Sequence, residues 1–143
     1  MRLVPAVALV FLLFYGCKKE EGPGGTSTIK GKVIVYDYDP AYLNPAPSNI
    51  FPAGNERVFI IYGESNTTYN DDFRCSYDGS YEFKHLQKGK YRLFAYSKDS
   101  TGAYNGSVNS QAPDVPIFVD VEITGNGKTF EAPDIIILDN NGR

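Results

Sequence analysis

Histidine and cysteine are the side chains that most often act as bases, nucleophiles or metal ligands, and this chain of 143 residues contains one His and two Cys. The single His85 falls between two predicted strands. One imidazole completes neither a catalytic triad nor a zinc site, so we interpret His85 as an exposed turn residue. We therefore predict no catalytic residue, and we expect that the protein is not an enzyme.

Oxygen ligands at short spacing are the sequence feature that could hold a calcium ion. Neither of two such groups has the spacing of an EF-hand loop; a turn explains Asp78 better than calcium does, and solvated strand ends explain the others better. We predict no metal site and no cofactor. The residues concerned are Asp37 and Asp39 in one group, and Asn70, Asp71, Asp72 and Asp78 in the other.

Tyrosine is abundant, with 11 residues in the chain. A tyrosine ring offers a flat apolar face with a hydroxyl group, which suits a carbohydrate or peptide ligand. The alternative is that Tyr is a good strand former that fills a half-buried sheet surface. The candidates for a ligand-binding surface are Tyr36, Tyr38, Tyr42 and Tyr104.

Length and charge limit the classes of function. A chain of 143 residues has room for one domain and a targeting segment. The net charge is -3 and no basic cluster is present, so nucleic acid is not expected as a partner. Cys75 falls in a predicted strand, where a lone thiol is usually a small buried side chain, and we assign it no role.

The segment 76–96 organises the predicted fold. Asp78-Gly79 predicts a tight hairpin turn, Tyr81 and Phe83 alternate with polar residues, and Gly89 predicts a second reversal. This pattern predicts three consecutive antiparallel strands. The next strand places Tyr91, Leu93 and Ala95 inward, with Arg92, Phe94 and Tyr96 facing away.

Further strands are predicted on both sides of this segment, giving seven in all. They cover 29–38, 56–63, 116–123 and 130–138, the first strand of the segment covers 69–77, and long loops are predicted at 39–55 and 98–114. The outer side of the first strand carries Ile34 and two tyrosines, so another segment is expected to cover it, or it binds a ligand.

These motifs resemble those of carboxypeptidase regulatory-like domains. The shared pattern is Asp78-Gly79-Ser80-Tyr81-Glu82-Phe83, then Leu86, then Gly89-Lys90-Tyr91, and the opening Gly31-Lys32-Val33 is a further common feature. The resemblance covers about residues 28–138. It implies an all-β, seven-stranded antiparallel Greek-key sandwich of the transthyretin (prealbumin) type, and it implies little about activity.

The amino-terminal segment has the features of a secretory signal. The apolar run from Leu3 to Phe14 is too short to span a bilayer as a helix. It ends in Leu13-Phe14-Tyr15-Gly16-Cys17, which resembles the lipobox of bacterial lipoproteins, although Phe14 and Tyr15 depart from the usual pattern. The resemblance implies cleavage before Cys17 and acylation of Cys17, including a palmitate chain. The alternative is an ordinary signal peptide with an incidental Cys.

The segment that follows is charged and then rich in Gly, which predicts a flexible tether over 17–28. Lys19-Glu20-Glu21 resembles a sorting signal of outer-membrane lipoproteins in Gram-negative bacteria, and a solvated linker without sorting meaning is the alternative. The predicted organisation is a signal peptide at 1–16, a lipidated linker at 17–28 and a sandwich at 29–143. Which face of the outer membrane carries the protein is left open.

The function that this organisation predicts is a non-catalytic binding or structural module that is held at a membrane by lipid. Two alternatives for its partner stay open at this point. One is a glycan-binding module for polysaccharide capture, and the other is a scaffold subunit that pairs with a protein through an exposed strand edge.

Overall fold

A computed structural model of the protein describes residues 20–38, 47–99 and 112–139. All regular elements in these ranges are strands, so the predicted all-β class is confirmed. The described residues form nine strands: β1 (Pro23–Asp37), β2 (Asn49–Pro52), β3 (Arg57–Tyr62), β4 (Asp71–Arg74), β5 (Ser80–Leu86), β6 (Gly89–Lys98), β7 (Asp114–Ile123), β8 (Thr129–Glu131) and β9 (Ile135–Asp139).

Two short strands account for the difference from the predicted seven. β2 lies in the segment that was predicted as a long loop, where it pairs with the end of β1. The predicted last strand is divided into β8 and β9 by Ala132 to Asp134. Pro133 interrupts the pairing there because its ring nitrogen has no hydrogen to donate to a ladder.

The strands form two sheets that pack as a sandwich. One sheet has the antiparallel order β4-β3-β6-β7. In the other sheet β1 is central, because it pairs with β2 and β5 in antiparallel orientation and with β8 and β9 in parallel orientation. This sheet is therefore mixed, whereas the sequence predicted antiparallel pairing throughout.

The core fills the space between the two sheets. Every second side chain of a strand points inward. The buried side chains include Ile29, Val33, Tyr91, Leu93 and Ile135. The inward assignments of Tyr81, Phe83, Tyr91, Leu93 and Ala95 are confirmed, since all five are buried in one cluster. Cys75 is also buried in this cluster, as predicted.

The turn at Asp78-Gly79 differs from the prediction of a hairpin. β4 pairs with β3 in one sheet, and β5 pairs with β1 in the other, so the turn carries the chain between sheets. The Ser80 amide and hydroxyl donate to Oδ1 of Asp78 at 3.1 and 2.6 Å. Gly79 has a φ of 75° and approaches the Val33 carbonyl too closely for a side chain. A turn at this position and the positive φ of Gly79 were predicted correctly, but the two-residue hairpin turn was not, because Asp78 has no positive φ and the Gly79 amide donates to the Ser76 carbonyl at 2.9 Å.

β1 begins at Pro23, six residues before the predicted start of the sandwich at Ile29. The backbone of Gly22 is fixed to β6, since its amide donates to the Tyr91 hydroxyl at 3.0 Å. Its carbonyl accepts from the Gln87 amide at 2.9 Å. The part of the predicted tether from Gly22 to Thr28 therefore belongs to the sandwich, because bulges near Ser27 let the strand continue pairing with β5.

Candidate functional site

Only two of the residues predicted from the sequence to bind ligands lie in the described part of the chain. Tyr36 and Tyr38 are half-buried at the end of β1, whereas Cys17, Tyr42 and Tyr104 lie outside the described residues. Tyr36 pairs across the sheet with Ile50 and Leu138. These two cross-strand partners of Tyr36 are aliphatic, and a ligand-binding role for the four tyrosines stays a prediction.

A different set of aromatic rings comes together on the outer face of the antiparallel sheet. Four rings follow one another across this face, with successive centroid distances of 4.8, 4.9 and 5.2 Å. A fifth ring stands edge-on to the two central rings at 5.7 and 5.6 Å. We call these five residues the aromatic patch: in order across the sheet they are Tyr69, Phe59, Phe94 and Phe118, with Tyr96 beside the central pair.

Strand register explains how these rings meet. Phe59 on β3 lies opposite Phe94 on β6, and Phe94 lies opposite Phe118 on β7. Side chains that are directly opposite share one face of the sheet, so the three phenylalanines form a single row across three strands. Tyr96 lies two residues after Phe94 on β6 and thus projects to the same side.

The patch combines buried support with accessible ring surface. Phe59 and Phe94 are only 9% and 6% exposed and form a small apolar cluster with Ile61 on this outer face. Tyr69, Tyr96 and Phe118 around them are 53%, 46% and 48% exposed. The central rings therefore fix the positions of the outer rings, and the outer rings are available for contact.

Two ion pairs border the aromatic patch. The Arg92 guanidinium donates to Asp120 at 2.8 Å and lies 5.5 Å from the centroid of the Phe118 ring. On the other side, Arg57 and Asp72 approach to 3.4 Å. The carboxylate of Asp120 raises the pKa of Arg92. These groups place hydrogen-bond donors and acceptors next to exposed ring surface.

The remaining chemical groups of the described residues do not converge on the patch. Burial raises the pKa of the Cys75 thiol to about 11, so the thiol stays protonated at neutral pH. The hydrogen bonds from Ser80 lower the pKa of Asp78. His85 is exposed at the end of β5. Among the described residues, no three His, Cys, Asp or Glu side chains are grouped so that they could hold a metal ion.

Two of the carboxylates considered for calcium have partners in the described part of the chain. Asp72 is paired with Arg57, and Asp78 is bonded to Ser80 in the turn between the sheets. Asp37 is buried, and Asp39 lies outside the described residues.

No described helix is long and apolar enough to cross a membrane.

The sequence pattern predicts an outward position for Phe94 and Tyr96, and it places Phe59, Tyr69 and Phe118 within other predicted strands without relating them to one another. The signal that could have found the site is an aromatic residue at an outward position on each of several strands.

Comparisons with known proteins yield distant likenesses only. No family model matches the chain, and no curated protein matches it. A crystal structure of a candidate carbohydrate-binding protein from Pseudomonas aeruginosa is 11% identical with a TM-score of 0.45, and the match covers 82% of this chain and 91% of that chain. A crystal structure of (S)-allantoin synthase is 12% identical with a TM-score of 0.39, and the match covers 80% of this chain and 42% of that chain.

Proposed function

We propose that this protein is a non-catalytic binding module of the bacterial cell envelope, anchored by acylated Cys17, that binds an uncharged polysaccharide at the aromatic patch. The observation that supports the binding function is the row of four rings across three strands, with centroid distances of 4.8, 4.9 and 5.2 Å. The anchor is supported by the sequence at Leu13 to Cys17. An outer-membrane location is supported by Lys19-Glu20-Glu21.

A sugar needs two kinds of contact, and the patch offers both. The C–H faces of a pyranose ring pack on aromatic rings, and Tyr69, Tyr96 and Phe118 are each about half exposed. Sugar hydroxyl groups need polar partners at the edge of the same surface. Asp120 and Arg92 are exposed beside Phe118 and provide an acceptor and donors.

The charge distribution favours an uncharged ligand over an acidic one at this surface. Here the Arg92–Asp120 and Arg57–Asp72 pairs border the rings. Because each pair is neutral as a whole and the chain carries a net charge of -3, no excess positive charge is present to attract an acidic polymer.

Binding to a panel of soluble linear polysaccharides, neutral and acidic, tests this function. We expect the protein to bind a neutral polymer and the double variant Tyr96→Ala, Phe118→Ala to bind it about tenfold more weakly, since each lost ring contact is worth about 0.5–1.5 kcal/mol. Both residues are half exposed, so the urea midpoint of the variant should stay close to that of the parent.

The matched control is Tyr77→Ala. This ring is 93% exposed but lies in the turn before β5, away from the patch, so its removal should leave binding unchanged. Absence of binding to every neutral polymer, or equal losses in the control and the double variant, would contradict a glycan site at the aromatic patch.

A scaffold function is the second candidate, and the free edge of β7 favours it. Among the described residues, β7 pairs with β6 along its full length from Asp114 to Ile123, and no strand pairs with its other edge. Such an edge can accept a strand from a partner. In that case a protein co-purifies with the anchored molecule and still co-purifies with the Tyr96→Ala, Phe118→Ala variant.

A further inference from the structure

The amino-terminal end of the described chain is held firmly against one end of the sandwich. The Gly22 amide donates to the Tyr91 hydroxyl, and the Gly22 carbonyl accepts from the Gln87 amide. The Gln87 side chain also donates to the Pro23 carbonyl at 2.9 Å. The Glu21 side chain covers Gly89, where an added methyl group would collide with it. The path of the chain is therefore fixed from Glu21 onward.

One cleft joins this segment to the neighbouring loops. It is lined by Glu20 and Glu21 together with the loop after β3, the start of β6 and the end of β7. We call this surface the tethered end: Glu20, Glu21, the loop 63–66, the turn 87–89 and Glu122.

The length of chain before Glu21 sets a limit on how far this end can stand from an anchor at Cys17. Only Lys18, Lys19 and Glu20 lie between Cys17 and Glu21. A fully extended chain spans at most about 3.6 Å per residue, so Cys17 and Glu21 are at most about 14 Å apart. A flexible tether that reached to Thr28 would have allowed roughly twice to three times that distance.

We propose that the tethered end faces the lipid headgroups, so that the strands stand upright on the membrane and the aromatic patch faces sideways. This inference rests on the anchoring at Cys17 proposed above. Its occupant is the headgroup layer itself, because the short connection leaves no other end of the sandwich within reach.

The orientation determines where a ligand can run. Phe94 lies five residues along β6 from Gly89, which corresponds to about 17 Å at about 3.3 Å per residue. The row of rings crosses the strands, so a linear polymer on the aromatic patch lies parallel to the membrane at about this height. β1 and β6 both start at the tethered end and run away from it. Tyr38 and Asp99, which follow these strands, therefore lie at the opposite end of the sandwich.

Single tryptophan residues can report this orientation, since the chain contains no Trp. We place Trp at two exposed positions of the tethered end, Ser65→Trp and Lys88→Trp, and at one distant exposed position, Tyr77→Trp. Each acylated protein is reconstituted in vesicles that contain a lipid with a nitroxide on its headgroup, which quenches only nearby tryptophans. We expect strong quenching at positions 65 and 88 and nearly none at 77.

A longer tether is the matched control. Inserting about ten Gly and Ser residues between Lys19 and Glu20 adds a root-mean-square span of about 17 Å, so quenching at 65 and 88 should fall while the protein still floats with the vesicles. Equal quenching at all three positions, stronger quenching at 77, or no effect of the insertion would overturn the inference.

Chemical coupling of the protein to a lipid distinguishes a failure of the acylation proposal from a failure of the orientation proposal. In a Cys75→Ser background, a chain that begins at Cys17 is joined through the Cys17 thiol to a maleimide lipid in the same vesicles. If the cellular protein does not float but the coupled protein shows quenching at 65 and 88 only, the orientation stands and the acylation proposal fails. If the cellular protein floats and the quenching pattern is absent in both preparations, the orientation is wrong.

Discussion

Two buried tyrosines show how differently one side-chain type can contribute to stability at the residue scale. The Tyr91 hydroxyl accepts from the Gly22 amide at 3.0 Å and donates to the Gln87 carbonyl at 2.7 Å. The Tyr81 hydroxyl is equally buried but makes no hydrogen bond to any described residue, and its ring lies across Gly31. Burial also raises the pKa of both phenols.

Replacing each tyrosine by phenylalanine tests this difference. Tyr91→Phe leaves the partners of its hydroxyl unpaired, so we expect a loss of about 1–3 kcal/mol in the free energy of unfolding. Tyr81→Phe removes a hydroxyl that has no described partner, so its effect should be close to zero or stabilising. Urea denaturation at neutral pH measures both. A loss in Tyr81→Phe as large as that in Tyr91→Phe would show that the hydroxyl of Tyr81 is satisfied after all.

At the scale of elements, the central feature is the extension of β1 to Pro23. Gly25 has no space for a side chain, because an added methyl group would collide with the backbone of Leu86 and Gln87. The segment 22–25 therefore needs Gly25 for close approach to the end of β5, although its Gly-rich composition is typical of a flexible linker.

Substitution of Gly25 tests whether this segment belongs to the sandwich. Gly25→Ala should detach residues 20–28 from β5, lower the urea midpoint and speed hydrogen exchange of the Gln87 amide, which now bonds to the Gly22 carbonyl. Gly125→Ala is the control, since an added methyl group there would touch only the flexible side chain of Lys128. A midpoint that Gly25→Ala leaves unchanged would mean that the amino-terminal part of β1 adds nothing to stability.

At the scale of the whole molecule, the proposed anchor at Cys17 would determine both the orientation of the domain and the access of a ligand. At most about 14 Å of chain lies between Cys17 and Glu21, so a lipid on Cys17 would hold the domain by one end. In that orientation the aromatic patch would lie on the side of an upright sandwich, where a polymer can approach along the membrane surface.

The anchor itself is tested by fractionation of cells that express the full chain. Detergent should release the protein and high salt should not, because several acyl chains bind by apolar burial worth about 0.8 kcal/mol per CH₂ group. Cys17→Ser should move the protein to the soluble fraction. Cys75→Ser is the matched control and should remain with the membrane, since that thiol is buried in the core. Equal membrane retention of Cys17→Ser would contradict acylation.

The sequence by itself determined the strand class, the inward residues and the position of a turn. Alternation in the segment 80–96 places Tyr81, Phe83, Tyr91 and Leu93 inward, and all are buried, because a strand that covers a core has only one face to bury. The preference of Asp78-Gly79 for a turn is likewise local, since it depends on hydrogen bonds to Ser80 and on the positive φ of Gly79.

Only the tertiary structure decided which strands are neighbours, and with them the candidate site. The turn at Asp78-Gly79 links two sheets instead of two paired strands, and the turn chemistry is compatible with both arrangements. Phe94 lies 35 residues after Phe59, and Phe118 lies 24 residues after Phe94, so no local pattern relates them. They form one row because strand order and register align them across β3, β6 and β7, and long-range pairing sets both.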